Sequence, residues 1–427
     1  MPAPRFMLAA TILVCTAPAM AQTSFPVSSA DWILQGDQTL GIIGGDVAAA
    51  GDVNGDGYDD VAIGDASYDG AFMDSGRMLV FAGTAAGPSL TPTWTLEGAA
   101  AGAGLSRAAR AGDVNGDGLD DLVARSGQGF ALYLGSAGGP VPAPWTTNGT
   151  FTVHGDVNGD GFGDLVVFSD PAFSIFNGSA AGLQQTPSAT LPLPADLYRR
   201  FISAAVDDFN GDGRADLAYT WRYCGGKHCL FLNGQLRVHM GSDKGLSSQA
   251  KRSIDFGRER VPIVVAAGDA DGDGFADAAV NDYADAASGH GPPATYLLRG
   301  GKSGLPSQAG SPAISGLTGF LVFGTGESAG DIDGDSFADY ILVQEDSNDP
   351  AFSGTLSLIF SGGPGGYSQA PTLIVTPEQE GAGLGSTSAG DVNGDGLDDL
   401  LFSAPRYYIT GFQRVGRVYV VLGRSVF

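Results

Sequence analysis

One nine-residue pattern recurs seven times in this chain of 427 residues and limits the folds that the chain can adopt. The pattern is Asp-x-Asn/Asp-Gly-Asp-Gly/Ser-x-x-Asp, and its successive copies are spaced by 61, 43, 52, 61, 62 and 60 residues. Recurrence at this period indicates one structural unit repeated along the chain. The copies begin at Asp52, Asp113, Asp156, Asp208, Asp269, Asp331 and Asp391.

Short β-rich segments surround each copy of the pattern. An apolar stretch follows it directly, as at residues 61–63, and a second one ends in Gly, as at 78–83. A further segment precedes the next copy, as at 93–98. Runs of four to six residues bounded by Gly, Ser and Asn are typical of strands joined by turns. Each unit therefore contains four predicted strands.

The two ends of the chain complete each other in this scheme. The last unit ends after its third strand, whereas residues 32–36 form a strand with no unit before it. If 32–36 supply the missing strand, the ring closes and no sheet edge is left exposed. We therefore predict an all-β fold, a seven-bladed β-propeller closed by the N-terminal strand. The 43-residue interval can hold four strands only with tight turns, so a degenerate third unit is the alternative.

The repeated pattern places oxygen donors at positions one, three, five and nine of a tight loop. In the first copy these are Asp52, Asn54, Asp56 and Asp60, with the carbonyl of Tyr58 as a fifth ligand. Hard oxygen donors suit Ca²⁺, which accepts six to eight of them, whereas Mg²⁺ requires stricter octahedral geometry. The glycines at positions four and six allow the backbone to curl around an ion.

The other six copies keep every ligand position. An EF-hand would require Glu at position twelve, where all seven copies continue a strand. Ser336 replaces the second Gly of the sixth copy, so we expect a weaker loop there. An Asp-rich turn without metal is the alternative. The predicted ligands, the seventh position acting through its carbonyl, are Asp113, Asn115, Asp117, Leu119, Asp121; Asp156, Asn158, Asp160, Phe162, Asp164; Asp208, Asn210, Asp212, Arg214, Asp216; Asp269, Asp271, Asp273, Phe275, Asp277; Asp331, Asp333, Asp335, Phe337, Asp339; and Asp391, Asn393, Asp395, Leu397, Asp399.

The net charge of −25 agrees with a cofactor of this kind, because up to seven Ca²⁺ ions would offset more than half of it. The same charge argues against nucleic acid or an anionic membrane surface as a partner. After residue 21 the chain has no apolar run of 18 residues, so we expect no transmembrane segment.

The segment 52–60 is similar to the calcium loop of FG-GAP repeats, which form the propellers of integrin α-subunits and of bacterial relatives. Phe323-Gly324 and Leu384-Gly385 stand where that family has Phe-Gly, and Ser403-Ala404-Pro405 where it has Gly-Ala-Pro. The resemblance covers about residues 30–427 and, with seven intact loops, is nearest to the bacterial secreted branch. It implies that the loops join the first and second strands of each blade on one face.

The resemblance also implies that partners bind on the opposite face. The segments that could do so are 68–75, 222–233, 283–293 and 344–352. We expect an extracellular protein or glycan ligand and a monomeric propeller.

The N-terminus resembles a secretory signal peptide. Arg5 supplies a positive charge, residues 6–14 are apolar, and Ala19-Met20-Ala21 forms a cleavage site. We expect residues 1–21 to be removed and the propeller 22–427 to reach the periplasm, the cell surface or the medium. Cys224 and Cys229 then remain, across a Gly-Gly turn, and an oxidising compartment favours a disulfide between them.

Two segments resemble catalytic motifs in part. Residues 326–330 fit the Gly-x-Ser-x-Gly elbow around Ser328, but they lead directly into the sixth loop where the elbow requires a helix. Residues 301–303 resemble the end of a phosphate loop but repeat the turn at 241–246. We therefore expect no enzymatic activity, and an adhesion or protein-interaction scaffold. A carbohydrate-binding lectin and a polysaccharide lyase or hydrolase are the alternatives; a lectin should repeat Trp or Tyr at equivalent loop positions, and the chain has only four Trp.

Overall fold

A computed structural model describes residues 23–38, 40–127, 129–194, 200–224, 232–284, 294–315, 322–345, 355–409 and 413–424. Within these ranges the chain is all β, apart from one turn of 3₁₀ helix at Val27–Ser29. The expected signal peptide lies outside them. No helix in the described part is long and apolar enough to cross a membrane.

The strands follow one another along the chain as seven sheets, each of which contains one of the nine-residue loops. Two strands, β1 (Thr23–Pro26) and β2 (Trp32–Gln35), precede the first blade. Blade 1 contains β3 (Asp46–Gly51), β4 (Asp60–Asp65), β5 (Arg77–Phe81) and β6 (Trp94–Glu97). Blade 2 contains β7 (Ala108–Gly112), β8 (Asp121–Ser126), β9 (Gly129–Leu134) and β10 (Val141–Asn148). Blade 3 contains β11 (Phe151–Gly155), β12 (Asp164–Ser169), β13 (Ala172–Phe176) and β14 (Ala189–Pro192).

The second half of the ring continues in the same order. Blade 4 contains β15 (Arg200–Asp207), β16 (Asp216–Cys224), β17 (Leu232–His239) and β18 (Arg252–Arg258). Blade 5 contains β19 (Arg260–Gly268), β20 (Asp277–Ala284) and β21 (Ala294–Leu298). Blade 6 contains β22 (Val322–Gly330), β23 (Asp339–Glu345), β24 (Thr355–Phe360) and β25 (Leu373–Thr376). Blade 7 contains β26 (Gly385–Gly390), β27 (Asp399–Ala404), the short hairpin β28 (Tyr408–Ile409) and β29 (Gln413–Arg414), and β30 (Arg417–Val421).

The ring is closed as the sequence predicts. Strand β2 pairs antiparallel with β30, with Trp32 opposite Val420, and becomes the outer strand of blade 7. Each innermost strand contacts the innermost strands of both neighbouring blades, including β26 with β3 across the closure. The seven-bladed propeller closed by the N-terminal strand is therefore confirmed.

The structure excludes one alternative, and two details depart from the expected unit. Blades 2 and 3, on either side of the shortest interval, each have four strands, so neither is degenerate. Among its described residues blade 5 has three, and Ile314 pairs with Thr295 where the fourth would lie. Strand β1 adds a fifth strand to blade 6, parallel to β25, which the sequence did not predict. Residues 23–35 thus join two neighbouring blades.

The core lies between blades. Seven clusters of buried apolar side chains are found in the described residues, one at each contact between neighbouring blades. In β4, Val61 and Ile63 pack against blade 7, whereas Ala62 packs against blade 2. Because successive side chains of a strand point to opposite faces, middle strands buried on both faces must be almost continuously apolar. This explains the apolar stretch after each loop.

Candidate metal-binding loops

Each nine-residue loop joins the first strand of its blade to the second, so all seven lie on one face of the ring. The carboxylate at position one organises the loop. In the first copy, Asp52 Oδ1 accepts the N–H groups of Gly55 at 2.6 Å and Asp56 at 3.1 Å, and its Oδ2 accepts that of Gly57 at 2.9 Å. The same three bonds recur in the other six copies.

Positions four and six adopt left-handed backbone conformations in every copy. In the first loop Gly55 has φ +78° and Gly57 has φ +88°. In the sixth loop Ser336 has φ +72°, and its N–H still donates to Asp331 Oδ2 at 2.8 Å. A non-glycine residue in this region costs about 1–2 kcal/mol. The expected weakness of the sixth loop therefore has a physical basis, while its shape is kept.

In two of the loops the carboxylates at positions one, three and five come together. In the fifth loop one carboxylate oxygen each from Asp269, Asp271 and Asp273 lie within 4.8 Å of one another. The equivalent residues of the sixth loop do the same. Burial raises the pKa of Asp271 and of Asp333, and the adjacent carboxylates of Asp273 and Asp335 raise each further. Such clusters of like charge are destabilising unless a cation neutralises them.

The Asp at position nine is buried and ties the loop to the rest of its blade. Asp399 Oδ2 accepts the N–H of Val392 at 2.8 Å, and its Oδ1 accepts that of Gly423, directly after β30, at 2.7 Å. The bond to the glycine after the third strand recurs in all seven blades. Burial raises the pKa of each of the seven carboxyls to about 7: Asp60, Asp121, Asp164, Asp216, Asp277, Asp339 and Asp399.

Asp216 in blade 4 differs from the other six. Its Oδ1 accepts the N–H of Gly241 at 2.7 Å, but its buried Oδ2 makes no well-formed hydrogen bond among the described residues, although the N–H of Phe209 interacts with the carboxylate and lowers its pKa. A buried carboxylate oxygen without a partner is costly. A cation bound by the loop would remove this cost, so the oxygen-only donor set and this unsatisfied oxygen both fit Ca²⁺.

The loops contact one another around the ring, which the sequence did not predict. The side chain at position seven lies over the Gly at position four of the preceding loop. A Cβ atom built on Gly116 would lie 2.6 Å from Phe162, and one built on Gly394 would lie 2.7 Å from Tyr58. The same contact recurs at all seven junctions. Position seven, predicted as a ligand only through its carbonyl, therefore also packs through its side chain.

Main-chain hydrogen bonds strengthen the same junctions. The N–H of Thr84, after the third strand of blade 1, donates to the carbonyl of Val392 in loop 7 at 3.0 Å, and this bond also recurs seven times. The acceptor always belongs to position two, which is apolar and buried in every copy. The sequence carries this signal, because the first variable position of the pattern is apolar in all seven copies.

Position eight adds a side-chain link at three junctions. Asp59, Asp120 and Asp398 accept the position-one N–H of the preceding loop, from Asp391 at 3.0 Å, Asp52 at 3.2 Å and Asp331 at 2.9 Å. At the other four junctions position eight is Gly163, Ala215, Ala276 or Ala338.

The other predicted sites are distributed as follows. Ser328 lies within β22, which continues to Gly330, so the turn into a helix that a nucleophile elbow needs is not present there. Its Oγ lies 3.5 Å from the carbonyl oxygen of Ala267 in the neighbouring blade. Cys224 is disulfide-bonded, and its expected partner Cys229 lies outside the described residues. The expected partner-binding segments follow the second strands of blades 1, 4, 5 and 6, at the end opposite the loops, and only 68–75 is described throughout.

Comparison with known proteins identifies an FG-GAP repeat at residues 384–421 and FG-GAP-like repeats at 156–219 and 331–402. No curated protein sequence matches the chain. A solved lectin of Agrocybe aegerita, described as recognising non-reducing terminal N-acetylglucosamine, is 19% identical, with 79% of this chain and 80% of that one covered and a TM-score of 0.46. A chain from the BBS1N–ARL6DN complex is 9% identical, with 75% and 92% covered and a TM-score of 0.38. At these TM-scores neither likeness informs the function of this chain.

Proposed function

Because the chain is a seven-bladed β-propeller of FG-GAP repeats, we propose that it is a secreted, calcium-stabilised scaffold that binds an extracellular protein and catalyses no reaction of its own. The observation that carries the proposal is the closed ring of seven equivalent loops, each with the same oxygen donors and the same internal hydrogen bonds. Secretion is supported by the signal-like segment 1–21 and by the disulfide at Cys224.

The calcium assignment rests on the chemistry of the loops. Positions one, three, five and nine offer only oxygen donors, and together they carry 23 of the 47 acidic residues of the chain. Residues 52–60 would hold one ion through four side chains and the carbonyl of Tyr58, and the other loops would do so in the same way. When bound, the ion would neutralise carboxylates that otherwise repel one another.

The stoichiometry of binding tests this assignment. The purified chain, stripped with a chelator and titrated with Ca²⁺ by calorimetry, should bind up to seven ions, with Mg²⁺ much weaker. Direct metal analysis after gel filtration in micromolar calcium gives an independent count. Absence of both binding heat and retained calcium would overturn the assignment.

A scaffold is favoured over a lectin by the positions of the tryptophans. Trp32, Trp145 and Trp221 are buried, and their Nε1–H groups donate to Ser89, Gln184 and Gln235. They pack the blades and offer no aromatic platform to a sugar. A glycan array in millimolar calcium tests the difference, and saturable glycan binding would favour the lectin. Depolymerisation of a polysaccharide by the purified chain would contradict the absence of catalysis.

A further inference from the structure

The face opposite the calcium loops carries an unusual group of exposed apolar side chains. Of the seven large apolar residues that are well exposed in the described part of the chain, four lie there, on connections of blades 7 and 1. We call these four the apolar ridge. Its members and their exposed fractions are Leu40 66%, Phe72 46%, Met73 69% and Tyr408 40%.

The ridge belongs to connections that are held together by hydrogen bonds. Gln38, before Leu40, exchanges two hydrogen bonds with the main chain of Asp69, at 3.1 and 2.7 Å. The N–H of Leu40 donates to the carbonyl of Arg414 at 2.8 Å, and Arg414 lies opposite Tyr408 in the hairpin of β28 and β29. The loop from β4 to β5, the connection from β2 to β3 and the hairpin therefore form one surface.

The remaining exposed apolar residues are dispersed. Leu90 lies between the third and fourth strands of blade 1, and Val141 begins the fourth strand of blade 2, both at the loop end; Ile33 lies on the outer strand β2. Isolated exposed apolar side chains are ordinary, whereas a group rimmed by polar residues marks an interaction site.

The backbone at the ridge, and directly after it at Asp74, is also strained. Leu40 has φ +66° and Asp74 has φ +49°, and these are two of only four non-glycine residues with positive φ in the described chain. Such conformations persist where the surroundings impose them and are concentrated at functional sites. The N–H of Asp74 donates to the side chain of Asp69 at 2.7 Å, and its carbonyl accepts the N–H of Gly104. Phe72 and Met73 are thus presented by a loop of defined shape.

The charge around the ridge specifies its partner. Asp37, Asp69, Asp74 and Glu97 are exposed around the Phe72–Met73 end, and Glu97 Oε2 would lie 2.6 Å from a Cβ atom on Gly70 of the same loop. The cation among them, Arg77, is buried and paired with Asp37 and Asp65. This end is therefore acidic, whereas Arg414 lies beside Tyr408 at the other.

We propose that the apolar ridge binds a protein segment that presents apolar side chains next to lysine or arginine, with the basic residues at the Phe72–Met73 end. This inference rests on the proposed scaffold function and names the partner class of that function. Apolar anchors would bury Phe72, Met73 and Leu40, and the cations would pair with the acidic rim, which adds specificity and speeds association.

Synthetic peptides test the proposal on the full calcium-loaded chain. Three immobilised sets carry leucine and phenylalanine with lysine and arginine, the same apolar residues with aspartate and glutamate, and lysine and arginine with serine. The first set should bind at least about tenfold more tightly than the others. Equal binding by all three sets, or no binding of the first at about millimolar concentration, would overturn the proposal.

A matched pair of variants locates the site. Phe72→Ser with Met73→Ser should weaken binding of the first set by about tenfold or more, as loss of interface anchors does. Leu90→Ser removes a side chain that is 89% exposed at the calcium-loop end and should leave binding unchanged. All three residues are exposed, so both variants should keep the parent melting temperature. If both variants bound the first peptide set equally, the ridge would be ruled out as the binding site. A native partner that still bound the double variant would leave the proposed scaffold function intact.

Discussion

The junctions between the proposed calcium loops are of two kinds. Between loops 6 and 7, 7 and 1, and 1 and 2, a position-eight aspartate reaches the first residue of the preceding loop. Between loops 2 and 3, 3 and 4, 4 and 5, and 5 and 6, a glycine or alanine stands there. The main-chain link from position eight to position one occurs at both kinds, as from Asp398 to Asp331 at 3.0 Å and from Gly163 to Asp113 at 2.7 Å. Main-chain hydrogen bonds therefore join the loops at both kinds of junction, and the position-eight carboxylates reinforce one sector of the ring.

That sector contains the closure of the propeller. Asp59 and Asp391 are separated by 332 residues in sequence and meet where blade 7 contacts blade 1. The extra carboxylate also brings a negative charge near the first calcium ligand of loops 6, 7 and 1. In loop 1 this charge is offset, because Arg110 pairs with Asp120 through two bonds of 2.7 and 2.8 Å. Loops with the same donors therefore have different surroundings, and we expect loop 7, which has both the extra carboxylate and a glycine at position six, to bind calcium most tightly.

Removal of calcium should have the largest effect. Ions that bind only the folded chain stabilise it by mass action, so excess chelator should lower the melting temperature by roughly 10 °C or more. Differential scanning calorimetry measures the shift. Hydrogen exchange at intermediate calcium should show loops 2 to 5 losing protection before loop 7. Uniform loss of protection around the ring would contradict the distinction between the two sectors.

The calcium-free chain should respond to pH in the opposite sense to an ordinary acidic protein. Burial raises the pKa of the position-nine carboxyls to about 7, above the unfolded value of about 4, so the folded state retains protons that the unfolded state loses. Stability in chelator should therefore fall as the pH rises from about 5 to 7, by several degrees in melting temperature. Calcium should abolish this slope, and a chelated chain that became more stable over that range would refute the prediction.

Substitution of position nine compares a fully bonded carboxylate with an incompletely bonded one. Asp399→Ala leaves two buried N–H groups without acceptors and should cost about 3 kcal/mol in chelator. Asp216→Ala removes an oxygen that makes no well-formed hydrogen bond in the described structure and should cost about 1 kcal/mol less. Denaturant unfolding measures both. In saturating calcium each variant should lose a comparable further amount of stability relative to the parent, because each lacks one proposed ligand. If the difference in stability between Asp216→Ala and the parent did not change with calcium, Asp216 would be excluded as a ligand.

Substitution of the residue at position eight removes or adds the side-chain link between neighbouring loops. Asp398→Ala should cost about 1 kcal/mol and lower the calcium affinity of loop 6 severalfold. Ala338→Asp is the reciprocal change, because Ala338 faces Gly268 as Asp398 faces Gly330. It should raise the affinity of loop 5. Calorimetric titration of both variants tests the pair, and shifts of the same sign would be inconsistent with a role for the carboxylate.

The smallest effect is expected at Ser336. Ser336→Gly relieves a positive φ of 72° without removing the N–H that donates to Asp331, and should stabilise the chain by about 1 kcal/mol. Gly396→Ser in loop 7, where φ is +88°, is the matched reverse change and should destabilise by a similar amount. Equal stability of the two variants in thermal unfolding would contradict this explanation.

The sequence predicted the structure correctly where the pattern lies within a short segment of the chain. A loop of nine residues carries its own donors and glycines, and the apolar run after each loop follows from burial on both faces of a blade, so the blade count could be predicted. The closing strand followed from counting four strands in each unit. Strand β1, the fifth strand of blade 6, could not be predicted, because residues 23–26 contain nothing that distinguishes pairing with the edge of blade 6 from exposure to solvent. The apolar ridge was missed in the same way, since Leu40, Phe72 and Tyr408 lie far apart in sequence.

The sequence by itself determined the positions of the oxygen donors and the seven units, because each depends on residues close together in the chain, and strand counting at the two ends identified the strand that closes the ring. Only the tertiary structure decided which loops support one another. Phe162 covers Gly116, Asp398 reaches the amide of Asp331, and Leu40 joins the hairpin of blade 7. Each of these contacts exists because the curvature of a closed ring brings one blade against the next, and no pattern within a single unit encodes that neighbour.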